Sequence, residues 1–179
     1  MKPYQILRTG FRGQYRGKTN CKFVLTELEK AYIAGFLDGD GCIMFQLVRR
    51  KDYVLGYQVR ASIVFYQKTK NKEILNWLKG KLQYGYIRDR NDEMTEYTIV
   101  GKNYVIEILR ELYPYLKLKR NHANVAFKIN QKWPKSFNQK NLLAISKLVD
   151  RYKELNYSKK RKNTSATIKG FFASGPRND

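Results

Sequence analysis

The sequence predicts an α+β fold, an αββαββα arrangement in which an antiparallel sheet carries helices on one face. Three observations support this. Two stretches alternate apolar and polar residues with period two. Two shorter runs of the same kind flank an Asn91-Asp92 turn. The segments between and after them repeat apolar residues at helical spacing. A chain of 179 residues fits one domain, and its 42% hydrophobic and 14% aromatic content can bury a core.

Residues 1–25 contain six basic side chains (Lys2, Arg8, Arg12, Arg16, Lys18, Lys22) and no acid, with Gly10, Gly13 and Gly17 interrupting any periodicity. They read as a flexible basic arm. A transit peptide and a terminus that merely adds charge are the alternatives. The core, 26–157, opens at Thr26-Glu27-Leu28-Glu29, the capping-box pattern, which predicts a helix to about Asp38. Ile43, Phe45 and Leu47 then alternate with Cys42, Met44, Gln46 and Val48. After a polar turn near Arg50 to Asp52, Val59, Ala61, Ile63 and Phe65 alternate with Gln58, Arg60, Ser62, Val64 and Tyr66. These two strands make a hairpin.

A helix over 69–82 carries Ile74, Leu75, Leu78 and Leu82 on its apolar stripe. A second hairpin follows, 84–90 with 96–100. Further helices are expected over 103–113, 119–132 and 139–155, with Pro114 and Pro134 as breaks. Residues 158–179 form a basic C-terminal segment.

Charge narrows the function. Lys and Arg number 36 against 15 Asp and Glu, for a net charge of +21 and a pI near 10.0. Such a surface seeks a polyanion, and nucleic acid is the simplest one because each neutralised phosphate releases condensed counterions. No apolar run approaches the roughly 18 residues a membrane span needs. One His and two Cys cannot supply the about four ligands of a local zinc site. Cys21 and Cys42 read as reduced thiols and His122 as a surface residue.

The sheet face opposite the helices would present Gln46, Arg50, Gln58, Arg60, Ser62, Tyr66, Tyr86, Arg88, Arg90, Glu96 and Thr98. Arg matches guanine O6 and N7, Gln matches adenine N6 and N7, and a β-ribbon fits the major groove. A merely solvated face is the alternative, but the excess of Arg, Gln and Tyr favours recognition.

The chemistry lies at the end of the first helix. Ala31, Gly35 and Gly39 are four apart, a seam of small residues that lets another backbone approach. A mid-helix Gly costs about 1 kcal/mol relative to Ala, so Gly35 needs a packing reason. Asp38 and Asp40 put two carboxylates at the negative pole of the helix dipole, an arrangement that asks for a cation. Carboxylate and carbonyl oxygens suit Mg²⁺. Without the seam and the basic face, both acids would read as turn residues around a Gly cap.

The run Ile33-Ala34-Gly35-Phe36-Leu37-Asp38-Gly39-Asp40-Gly41 resembles the signature helix of LAGLIDADG homing endonucleases, and it occurs once. Gln67-Lys68-Thr69, Gly85 to Arg90, Tyr113 to Lys119 with Ala123-Asn124, and Leu155 to Lys162 extend the similarity from about Thr26 to Thr164, nearest to the homodimeric group encoded in organellar introns. The resemblance implies a saddle-shaped sheet in the DNA major groove and signature helices paired at a dimer interface through Ala31, Gly35, Phe36 and Gly39. It carries over Asp40 as metal ligand beside the Gly39 carbonyl, Gln67 as the group orienting water, and Lys119 as the basic residue near the scissile phosphate. Mg²⁺ is the implied cofactor, with Mn²⁺ or Ca²⁺ able to occupy the same site. Met44, Tyr53 and Lys68 join the outward residues on the DNA-binding surface, and Lys159, Lys160, Arg161 and Lys162 are expected on phosphates. Where the family often has a second basic residue, this chain has Asn71 between Lys70 and Lys72. The implied activity is cleavage of both strands of duplex DNA at a long pseudo-palindromic site, in an organelle. The alternatives are an intron-RNA-binding maturase and a DNA-binding regulator that has lost cleavage.

Overall fold

The computed structural model describes residues 23–155 and 162–174. Helix α1 (Glu27–Asp40) starts at the expected capping box: Thr26 Oγ1 accepts the Glu29 amide at 3.3 Å and Glu29 Oε2 accepts the Thr26 amide at 2.8 Å. Such a cap contributes about 1 kcal/mol. The helix passes without a loop into β1 (Gly41–Arg49). Gly41 allows the direct turn, because a Cβ there would lie 2.6 Å from Leu37 Cδ1 and 2.8 Å from its carbonyl oxygen.

β1 pairs antiparallel with β2 (Tyr57–Lys68), whose other edge pairs with β4 (Met94–Val100), and β3 (Tyr86–Asp89) completes the order β1-β2-β4-β3. The first hairpin loop spans residues 50–56, longer than the expected turn, and closes where Arg50 donates its amide to the Gly56 carbonyl. In the second hairpin Gly85, at φ +79, lies against β4, where a Cβ would sit 2.2 Å from the Thr98 carbonyl oxygen. A short 3-10 turn (Thr69–Asn71) precedes α2 (Glu73–Leu82), and the remaining helices are α3 (Lys102–Leu112), α4 (Arg120–Gln131), α5 (Gln139–Leu155) and α6 (Ser165–Ser174).

The expected alternation holds on the helix-facing side, where Ile43, Phe45, Ile63, Phe65, Tyr97 and Ile99 are fully buried. Helices α1, α2, α3, α4 and α5 all pack on the sheet, and ion pairs from Lys30 to Glu111 (3.0 Å) and from Lys81 to Glu29 (2.5 Å) tie α1 to α3 and α2.

Three features depart from the sequence reading. The core takes in Phe23 and Leu25, which that reading gave to the arm, and Phe23 meets Tyr84 edge-on. His122 is buried rather than on the surface, because it shares the inward stripe of α4 with Ala126 and Ile129 and packs against Tyr152. Within the C-terminal segment, α6 docks through buried Ile168. Phe171 there lies 4.1 Å beneath the Arg49 guanidinium, and Asn163 donates to the Leu47 carbonyl at 2.9 Å.

Candidate active site and nucleic-acid interface

The sheet face away from the helices holds a cleft. Met44 and Gln46 from β1, Arg60, Ser62, Val64 and Tyr66 from β2, Tyr86 and Arg88 from β3, and Glu96 and Thr98 from β4 line one cleft. The strand register explains the grouping, since Met44 sits opposite Ser62, Gln46 opposite Arg60, Tyr86 opposite Thr98 and Arg88 opposite Glu96. The face is not uniformly exposed: Ser62, Glu96 and Thr98 are buried, at 2%, 9% and 5%. Each lies on a central strand between two cross-strand neighbours: Ser62 between Met44 and Val100, Glu96 between Tyr66 and Arg88, and Thr98 between Val64 and Tyr86. Glu96 accepts Arg88 at 2.8 Å, and Arg90 pairs with Asp92 at 2.7 Å. Burial raises the Tyr66 phenol above its ordinary range.

The other expected contact residues do not line this cleft. Arg50 is exposed in the β1–β2 loop, where it grips Asp52 through two hydrogen bonds of 2.8 and 2.6 Å and holds that carboxyl down to about 2. Tyr53 and Gln58 border a separate aromatic recess with Trp133 and Phe137. Lys68 and Arg90 line a third cleft with Lys70 and Asp89. Lys162 is exposed, whereas Lys159, Lys160, Arg161 and Cys21 lie outside the described residues.

At the end of α1 the two acids have different environments. Asp38 is buried, and its carboxylate faces the turn before α4: Oδ2 accepts the amides of Lys117 (2.6 Å) and Leu118 (3.1 Å), and Oδ1 accepts that of Lys119 (2.8 Å). Backbone dipoles therefore answer its charge, where the sequence alone suggested a cation. Asp40 is exposed and accepts no hydrogen bond from the described residues.

Lys119, half-buried, donates its ammonium to the Asp38 carbonyl at 2.5 Å. Burial lowers its pKa, and the nearby Asp38, Cys42 and Asp40 push it back up. Gln67 follows the pairing of Phe65 with Gly41 by two residues, so β2 carries it to the same end of the sheet, where its Oε1 accepts the Lys68 amide. Beside Asn71, Lys72 is engaged by Asp89 at 3.2 Å, while Lys70 is exposed and forms no ion pair among the described residues.

The donors available to a metal here are the Asp40 carboxylate and the carbonyl of Gly39. Both are hard oxygens and fit Mg²⁺ or Ca²⁺, which take the rest of their shell from water and phosphate. Among the described residues no group of three or more His, Cys, Asp or Glu could hold a metal alone. One chain thus supplies a partial ligand set. Along α1, Leu28 (83% exposed), Ala31, Gly35 and Gly39 form an exposed stripe ending at Asp40, and a Cβ built on either glycine meets nothing within 4 Å.

An acidic helix end beside a concave basic sheet is the layout of a nuclease, and the chain belongs to the LAGLIDADG endonuclease family, whose model matches residues 33–122. It is 40% identical to DNA endonuclease I-CvuI of Chlorella vulgaris over 75% of this chain and 84% of that protein, and 33% identical to DNA endonuclease I-CreI of Chlamydomonas reinhardtii over 85% and 90%. Crystal structures of I-CvuI superpose closely. The complex with its own target in the presence of Ca gives a TM-score of 0.78 at 37% identity, covering 82% of this chain and 94% of that one. The complex with the I-CreI target in the presence of Mg, its DNA uncleaved, gives 0.76 at 38% identity, covering 80% and 91%.

Sequence reasoning missed the role of Asp38. Its partners lie about eighty residues away, so only the fold brings them together.

Proposed function

We propose that this DNA endonuclease acts as a homodimer cutting both strands of a long, pseudo-palindromic duplex site with Mg²⁺ as cofactor, as an intron-homing enzyme of an organelle. The exposed small-residue stripe of α1, ending at Asp40, is the observation that carries the reading. Two copies joined along Ala31, Gly35, Phe36 and Gly39 would bring two acidic helix ends together, and twofold protein symmetry implies a matching symmetry in the site. The complexes of I-CvuI with DNA, Mg and Ca support the choice of substrate and ion.

In this mechanism the concave face enters the major groove. Gln46, Gln58, Arg60, Tyr86, Arg88 and Arg90 read base edges, Glu96 holds Arg88, and Met44, Ser62, Tyr66 and Thr98 fill the surface between them. Arg50, Tyr53, Lys68 and the 159–162 basic run follow the phosphates. Asp40 and the Gly39 carbonyl would hold the ion. When bound, Mg²⁺ supplies charge neutralisation and a more acidic water for phosphodiester hydrolysis. Gln67 orients the attacking water by hydrogen bonding. Lys119 places a positive charge where the phosphate gains negative charge, an electrostatic contribution largest in a partly dehydrated site. Lys70 is the better placed of the two lysines beside Asn71 to add a second cation, because Lys72 is held by Asp89.

Selection of cleaved duplexes from a random library with added Mg²⁺ tests the proposal. It predicts a long, pseudo-palindromic consensus cut on both strands. Products nicked on one strand only, or a consensus without twofold symmetry, would refute the dimeric mechanism.

A further inference from the structure

We propose that Asp38 is a positioning residue for cleavage, holding the Lys119 ammonium at a fixed place relative to Asp40. The inference rests on the reading of Lys119 as the basic residue near the scissile phosphate. A lysine side chain has four rotatable bonds, and a half-buried one directs its charge only if both ends are held. Asp38 holds both. Its carboxylate accepts three successive backbone amides, those of Lys117, Leu118 and Lys119, which fixes the stem of Lys119. Its own backbone carbonyl accepts the Lys119 ammonium, which fixes the tip and leaves two of the three N–H donors for a phosphate.

Asp38 and Asp40 belong to the same last turn of α1. The one residue therefore couples the helix end that bears Asp40 to a turn about eighty residues further along the chain. Because these carboxylate-to-amide hydrogen bonds are charge-assisted and part-buried, this link is stiffer than the exposed ion pairs elsewhere on the molecule. Asp38 needs no contact with DNA or metal to act in this way.

Four full-length proteins test the role: wild type, Asp38→Asn, Lys119→Met and the double variant. Asn keeps the shape of Asp38 but turns a carboxamide NH2, a donor, toward amides that need an acceptor. We expect Asp38→Asn to bind duplex DNA within about twofold of wild type and to slow single-turnover cleavage at saturating DNA by about 10–100-fold, the scale of a misplacement near 1 Å. In the Lys119→Met background the same change should slow cleavage less than twofold further. Without DNA or metal, the amide proton resonances of residues 117–119 should move upfield in Asp38→Asn. If circular dichroism shows that Asp38→Asn does not fold, Asp38→Glu is read instead, since it keeps the charge and shifts it by one methylene. Equal slowing with Lys119 present or absent, or cleavage at the wild-type rate in the Asp38 variant, overturns the positioning role. Wild-type cleavage by Lys119→Met removes the reading of Lys119 and overturns the proposal with it.

Discussion

Replacing Gly35 with Leu separates the single chain from the proposed dimer by the sign of its effect. In the isolated chain Gly35 is exposed, and a Cβ there meets nothing within 4 Å. Relief of the glycine helix penalty should then stabilise the fold by about 1 kcal/mol. At a twofold contact along the stripe, the added side chain meets its own copy. Overpacking a close-packed site costs about 1–3 kcal/mol, and two substituted sites per dimer bring the total to about 2–6 kcal/mol, or roughly 30-fold to 10⁴-fold in the dimer dissociation constant. The assay pairs sedimentation over a dilution series with urea denaturation at a concentration where the variant is monomeric. The expected result is a weakened dimer made of chains at least as stable as before, with cleavage lost. A Gly35→Leu protein that dimerises and cuts like wild type would refute the packing argument.

Three further outcomes follow from the same geometry. Arg88→Ala should cost about 1–3 kcal/mol of binding and relax preference at particular base pairs, leaving Glu96 only the Arg90 guanidinium 4.0 Å away; binding titrations on single-base-pair variants of the duplex that show an unchanged preference would contradict this. Gly41→Ala should destabilise the chain by about 1–3 kcal/mol, since the new methyl group meets the Leu37 side chain and carbonyl at the helix-to-strand junction; an unchanged urea midpoint would contradict this. The Glu29 carboxyl is held below its ordinary 4.5 chiefly by Lys81, then by the Thr26 amide. Its stabilising contribution is therefore present above the unfolded value and is lost as pH falls through the lower folded one, so Glu29→Gln should flatten the acid limb of a stability curve below about pH 4.5 and leave neutral pH behaviour of the other carboxylates unchanged.

Local grammar made much of the fold legible. Thr26 with Glu29 marks a helix start wherever it occurs, and the alternation through Ile43, Phe45 and Leu47 sets which strand face is buried regardless of what covers it. The outward set that lines the cleft follows from the same parity. Other features depend on tertiary context. The spacing of His122, Ala126 and Ile129 was present as a buried stripe, but the surrounding lysines and arginine suggested a solvated helix. Ile168, Phe171 and Phe172 have helical spacing too, hidden behind the preceding basic run. Ser62 and Thr98 are polar by composition and buried on the central strands β2 and β4, with a neighbouring strand on each side, a placement no periodicity encodes. Asp38 and Asp40 look equivalent in sequence; the amides of 117–119 make one a structural anchor and leave the other exposed.

The most direct test of the central claim concerns Asp40. Asp40→Asn keeps size and hydrogen-bonding reach while removing the anionic metal ligand, so binding and cleavage of one target duplex should be measured together, with and without Mg²⁺, for wild type and variant. The expected variant is a folded dimer that binds the duplex as tightly as wild type, or more tightly without metal because carboxylate–phosphate repulsion is relieved, and that does not cut it. Full cleavage by Asp40→Asn in Mg²⁺ would contradict the assigned active site.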